Sequence, residues 1–161
     1  MIPSFNQFEF SGPLTIARVA ILSVVFSALG SSSASTVQLT NVDFRSGRPG
    51  PEESLVQATS YTEETLNEVL KANARALKEI PELGAEITGF SDQRECSGRD
   101  CDELSLRRAT LVYQWLVEHG VPASKLRGPS IGDKTFQLEN DDAEQGRQLN
   151  RRVQFDLFSV K

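Results

Sequence analysis

From residue 37 onward the chain switches between strand-like and helix-like spacing of its apolar positions. Val37, Leu39, Val42 and Phe44 mark a first strand, and the one-residue offset at Thr40-Asn41 predicts a bulge. Arg45 to Ser54 is rich in Gly, Pro and Ser and reads as loop. Ser60 to Glu63 fits a capping box. Leu66, Val69, Leu70, Leu77 and Ile80 then follow helical spacing until Pro81 and Gly84. Ala85 to Phe90 reads as a short strand. Asp102 and Glu103 suit the positive start of a second helix, which runs to about His119 with Gly120 as its stop and Pro122 just beyond. Leu126 to Ile131 is a weaker strand and Gly132 to Gly146 a polar loop. Val153, Phe155 and Leu157 alternate with Gln154, Asp156 and Phe158 in a last strand. The expected order is β-α-β-α-β-β, an α/β sandwich with helices packed on one face of a mixed sheet.

Residues 1–35 follow a different pattern. Arg18 precedes an apolar run from Val19 to Leu29, and Gly30, three serines, Ala34 and Ser35 follow. A basic residue, a short apolar core and small residues form the layout of a secretory signal peptide. The run is about 11 residues, where a spanning helix needs about 20. An uncleaved N-terminal anchor is the alternative, and it would place Arg18 inside the bilayer. No Cys lies near the expected cleavage point, so a lipid-modified N-terminus is not expected. Residues 36–161 then form the single folded domain, with no transmembrane span.

Composition narrows the chemistry. The 161 residues carry 17 Lys plus Arg against 22 Asp plus Glu, a net charge of −5. No excess of cations is available for a broad phosphate-binding surface, which argues against nucleic acid as a partner. The one His, His119, limits triad chemistry and leaves a His-based metal site without a second imidazole. At a helix end beside Gly120 it reads as a surface residue. Glu139 to Glu144 lacks the ligand spacing of a calcium loop and reads as solvated. Trp115 reads as core. Neither cofactor nor metal is implied.

Export changes the meaning of Cys96 and Cys101, which flank Ser97-Gly98-Arg99-Asp100. In an oxidising compartment two Cys this close around a Gly are expected to form a disulfide. Zinc would want four ligands where two are evident, and paired free thiols are the remaining alternative.

The most informative anomaly is on the second helix. Leu104, Leu111, Val112, Trp115 and Leu116 form one apolar face, and Arg108 projects into the middle of it. A guanidinium there must find an anion or reach water. Asp92, just after the preceding strand, is the expected partner. The pair reads in two ways: as an internal salt bridge, or as a two-pole site holding a zwitterion, ammonium on Asp92 and carboxylate on Arg108. Physics permits both. Arg107, at the edge of the stripe, reads as solvated.

Gly89-Phe90-Ser91-Asp92, then Leu104-Ser105-Leu106-Arg107-Arg108-Ala109, then Gly146-Arg147-Gln148-Leu149-Asn150-Arg151-Arg152-Val153 resembles the OmpA-like peptidoglycan-binding domain family. Val121 to Leu126 is similar to that family's link after its second helix, and the resemblance covers roughly Val37 to Phe158. It implies a non-catalytic periplasmic module of a Gram-negative envelope, associated with the outer membrane or cell wall. It further implies that Asp92 receives the amino group, and Arg108 the carboxylate, of meso-diaminopimelate in the peptidoglycan stem peptide. Ser91 keeps the hydroxyl of the family's usual Thr, and Arg152 matches a third position near the ligand. Phe90 departs from the family's His or Tyr, and Cys101 from its Asn. The family's acidic residue after the first strand is not clearly matched, because Arg45 follows Phe44.

Two competing functions remain. In one, the Asp92-Arg108 pair is structural and the disulfide loop docks an envelope protein partner. In the other, the protein is a wall hydrolase or amidase, which lacks a recognisable nucleophile-base pair.

Overall fold

The computed structural model describes residues 37–133 and 142–161. The expected leader, and the first half of the acidic run from Glu139 to Glu144, lie outside the described residues. The element order is β1 (Val42–Asp43), α1 (Leu55–Ala58), α2 (Glu63–Glu79), β2 (Leu83–Gly89), α3 (Arg99–Glu118), a 3-10 turn (Ala123–Lys125), β3 (Leu126–Ile131), α4 (Glu144–Asn150) and β4 (Arg152–Ser159). The sheet runs β1-β4-β2-β3. β4 is antiparallel to both β1 and β2, while β3 is parallel to β2, so the sheet is mixed as expected. β4 and β2 pair from Leu83↔Ser159 to Gly89↔Val153. The last strand therefore lies beside the strand that carries the Gly89-Asp92 motif.

The core is the contact of α2 and α3 with the sheet. Leu66, Leu70, Ala74 and Leu77 from α2 join Ala109, Val112 and Leu116 from α3 over Val42, Ala85, Ile87 and Val153. Each buried Leu, Ile or Val in this layer contributes about 1.5–3 kcal/mol over leaving it exposed. No helix among the described residues is long and apolar enough to cross a membrane.

Four boundaries differ from the sequence-based expectation. The first strand is two residues long, because Asn73 of α2 serves the backbone of Thr40 on both sides: its Oδ1 accepts from Thr40 N (3.0 Å) and its Nδ2 donates to Thr40 O (2.8 Å). A helix side chain thus replaces a neighbouring strand. The capping box is Ser54/Gln57, opening the unforeseen α1, while α2 is capped by Thr62, whose hydroxyl accepts from Thr65 N. α3 starts at Arg99, ahead of Asp102, after Gly98 at φ 56°. The polar stretch before β4 ends in α4, whose seven residues are too few for a clear apolar periodicity.

β1 is tied to the chain ahead of α2 by Tyr61, whose hydroxyl donates to Asp43 Oδ2 at 3.0 Å. Burial, followed by the Asp43 charge and hydrogen bond, pushes the Tyr61 phenol up to about 12 from 10. Neutral Tyr61 is therefore favoured in the folded state. Its contribution to stability is full below pH 10 and is lost as the pH climbs towards 12. With Tyr113 replaced by Phe, absorbance titration should show the phenolate appearing near pH 12. Asp43→Asn should move that midpoint part of the way back, since burial persists.

Gly89 ends β2 where α3 crosses closest. A Cβ there would run into the Ser105 carbonyl oxygen, which belongs to helix backbone and cannot turn aside. Gly89→Ala should cost about 3 kcal/mol in urea denaturation through overpacking, with no loss of a polar contact.

Candidate functional site: a carboxylate seat on the inner face of the second long helix

Arg108 and Arg151 organise the end of the sheet where β2 stops and α3 begins. Arg108 sits on the third turn of α3, on the side pressed against the sheet, and is fully buried. All five of its N–H donors are engaged. Nε donates to Arg48 O (2.8 Å). Nη1 donates to Phe90 O (2.8 Å) and Glu95 Oε1 (2.7 Å), and Nη2 to Arg45 O (3.1 Å) and Glu95 Oε2 (2.8 Å). The loop after β1 thus lays its carbonyls over the guanidinium, while Glu95 closes the fork with a bidentate carboxylate. The Glu95 carboxylate also accepts from the backbone N–H groups of Asp92 (3.0 Å) and Gly47 (2.7 Å), and its side chain is wholly buried.

The expected direct pairing of Asp92 with Arg108 is therefore corrected: none of the five Arg108 donors reaches Asp92. Asp92 Oδ1 accepts from the N–H groups of Arg94 (2.7 Å) and Glu95 (3.0 Å), and Oδ2 accepts from Arg151 Nη1 (2.8 Å). Arg151 in turn donates through Nη2 to Glu144 Oε1 (2.6 Å) and Gln148 Oε1 (2.7 Å) on α4, and through Nε to Phe44 O (3.3 Å). Burial works to lower the Arg151 pKa, but the hydrogen bonds and charges of Asp92 and Glu144 outweigh it and hold it above its ordinary value. The same hydrogen bond from Arg151, then that from Arg147, pulls Glu144 below the usual carboxylate value. Asp92 and Arg108 are brought together all the same, as neighbours bridged by Glu95, which contacts the side chain of one and the backbone of the other.

Of the other expected site residues, Ser91 adjoins Asp92, while Arg152 packs on Phe90. Arg152 stacks over the Phe90 ring at 4.1 Å and donates through Nε and Nη2 to Gln154 Oε1 (3.2 and 2.9 Å). Burial lowers its pKa, against the charges of Asp43 and Asp156. Phe90, where the resemblance leads to His or Tyr, thus lies under a cation. Ser91 lines a hollow of about 200 Å3 together with Asp92, Cys96, Gly98 and Cys101. Cys96 and Cys101 are joined in a disulfide, Cα to Cα 5.1 Å, which ties the loop carrying Glu95 to the first turn of α3. Arg107 is half-exposed and donates to Pro49 O, helping to hold the covering loop. Among the described residues no cluster of His, Cys, Asp and Glu could hold a metal ion.

Two functional residues were missed by sequence reasoning. Glu95 lies in a loop, where no periodicity assigns a direction to a side chain. Arg151 had a signal in the Arg151-Arg152 pair, but strand alternation does not say which of two cations at a strand start turns towards Asp92.

A mixed sheet covered by two helices, with a carboxylate seat at Arg108 where β2 meets α3, defines a small α/β domain. The OmpA family's sequence profile matches residues 57–151, and the chain belongs to that family. It is 35% identical over 85 residues to the probable lipoprotein YiaD of Escherichia coli (strain K12), a match covering 52% of this chain and 37% of that protein's length. Three solved structures share the fold. The C-terminal domain of Helicobacter pylori MotB superimposes at TM-score 0.60 and 18% identity, covering 75% of this chain and 85% of that one. The peptidoglycan-associated lipoprotein of Burkholderia pseudomallei gives 0.57 and 19%, covering 73% and 89%. The cell wall anchor of the T6SS from Pseudomonas aeruginosa gives 0.52 and 22%, covering 67% and 76%.

Removing one member of a buried ion pair strands the other, at about 3–5 kcal/mol. Arg108→Met should lose that much in chemical denaturation. The double change Arg108→Met, Glu95→Leu should recover at least half of the loss, because both charges leave the interior together. Equal stability of the single and double variants would contradict the pairing.

Proposed function

We propose that this domain is a non-catalytic periplasmic module that binds peptidoglycan non-covalently through the meso-diaminopimelate of the stem peptide. It would thereby anchor or organise the cell envelope. The observation that carries the proposal is the seat at Arg108: a guanidinium fork and two backbone N–H groups, from Asp92 and Gly47, converging on one carboxylate position. A ligand carboxylate would take that position, and the ammonium of the same amino-acid centre would lie against Asp92. Ser91 and Arg152 would border the ligand, and the hollow beside Asp92 gives room for the rest of the side chain. Membership of the OmpA family supports this reading, as do the names of the similar Burkholderia and Pseudomonas proteins, a peptidoglycan-associated lipoprotein and a cell wall anchor.

Each contact is a small number of charge-assisted hydrogen bonds. Monovalent affinity is therefore modest, and retention on a sacculus comes from many sites engaged at once.

A second reading has its own support. Asp92 and Arg108 are already satisfied, by Arg151 and Glu95, and both are buried. If those pairs are purely structural, the domain instead docks an envelope protein, with the disulfide loop as the contact. Sedimentation with purified sacculi separates the two. Wild-type protein should co-sediment, and Asp92→Asn and Arg108→Lys, both checked for a folded thermal transition, should reduce the bound fraction severalfold. A wild-type protein that stays in the supernatant would overturn wall binding and favour the docking reading.

A further inference from the structure

The carboxylate seat at Arg108 is full, and its occupant belongs to the protein. Glu95 does not come from the packed interior. It lies between β2 and α3 in a loop whose backbone reaches the surface, with exposed Gln93, Arg94 and Ser97 around it, yet its own side chain is turned inward and wholly buried. Four donors meet its two oxygens: two from Arg108, one from Asp92 N and one from Gly47 N. These donors belong to three separate segments, and those of Arg108 and Gly47 lie outside the turn that carries Glu95. The residues on either side of Glu95 in the chain, from Ser91 to Gln93 and then Cys96 and Ser97, line the hollow at Asp92.

We infer that Glu95 is an internal stand-in for a ligand carboxylate, so that a guest must displace it from Arg108 in order to bind. The identity of the guest rests on the wall-binding reading; the exchange of carboxylates at the seat does not. The Cys96–Cys101 disulfide anchors the backbone next to Glu95 to α3. Exchange therefore proceeds by rotation of the Glu95 side chain into solvent rather than by departure of the loop. Apparent affinity is then the intrinsic affinity scaled down by the small fraction of molecules with the seat open. Glu95 sets the threshold of the site: weak, singly charged guests are refused, and a guest that also places an ammonium at Asp92 has the advantage.

The test uses the protein with Glu95→Ala, which deletes a fragment the size of acetate. Sodium acetate should raise the melting temperature of this variant by about 4 °C over sodium chloride at equal ionic strength, and leave wild type unmoved. Calorimetric titration with meso-diaminopimelate should show Glu95→Ala binding about tenfold more tightly than wild type, and Glu95→Ala with Arg108→Met not binding. Should Glu95→Ala fail to fold, Glu95→Gln keeps the volume and removes the charge, and the same tenfold gain is expected. On wild type itself, the amide resonances of Gly47 and Asp92 should shift on saturation with diaminopimelate.

Acetate acting no differently from chloride, or wild type and variant binding diaminopimelate equally well, would overturn the stand-in role and leave wall binding intact. Rescue by acetate with no binding of diaminopimelate or sacculi by any variant would uphold the seat and sink the wall-binding reading.

Discussion

The burial of one guanidinium governs the end of the domain where recognition is expected. Arg108 lies on the sheet-facing side of α3, among Leu104, Val112 and Leu116, and has no access to water. A cation in that place is tolerated only if every donor finds an acceptor. That requirement draws in the loop after β1, whose Arg45 and Arg48 carbonyls close over it, the last carbonyl before the Ser91-Asp92 turn, and the Glu95 carboxylate. The loop after β1 and the stretch from Phe90 to Glu95 are held to α3 by one side chain. Among the described residues no buried side-chain nitrogen or oxygen is left without a hydrogen-bond partner.

A second cation extends the arrangement. Arg151, at the entry to β4, holds Asp92 from the other side and ties it to α4 through Glu144 and Gln148. Asp92 is thereby oriented by β4 and by its own Asx turn, and Arg108 by α3 and the covering loop. Glu95 joins the two halves. Such a network is costly to disturb in part, which favours a single defined geometry at the site.

Much of the architecture was legible in the chain. Leu66, Leu70 and Leu77 face the core at the spacing that predicted α2, and β3 occupies the span expected for it. Gly120, at φ 81°, stops α3 where a C-terminal glycine was expected, and the Cys96–Cys101 bridge formed as its short spacing suggested. What escaped were the short pieces, α1 and α4, and the shortened β1, because four to seven residues carry too little periodicity to outweigh their polar composition. Asn73 and its hold on Thr40 could not be anticipated, since a polar residue on a helix gives no hint of a backbone partner 33 positions away.

The same division runs through the site. Local rules identify an arginine out of place on an oily helix face and an acid at a strand tip, because helical and strand periodicities place both residues without reference to the rest of the molecule. Which acid answers which cation is a different kind of question. Asp92, Glu95, Glu144, Arg108 and Arg151 are all within reach of the same corner, and opposite charges attract one another regardless of sequence position. Only the packed path of the backbone, with Gly47 and Asp92 offering their N–H groups to Glu95 and α4 bringing Glu144 to Arg151, selects one pairing from several that charge alone would allow.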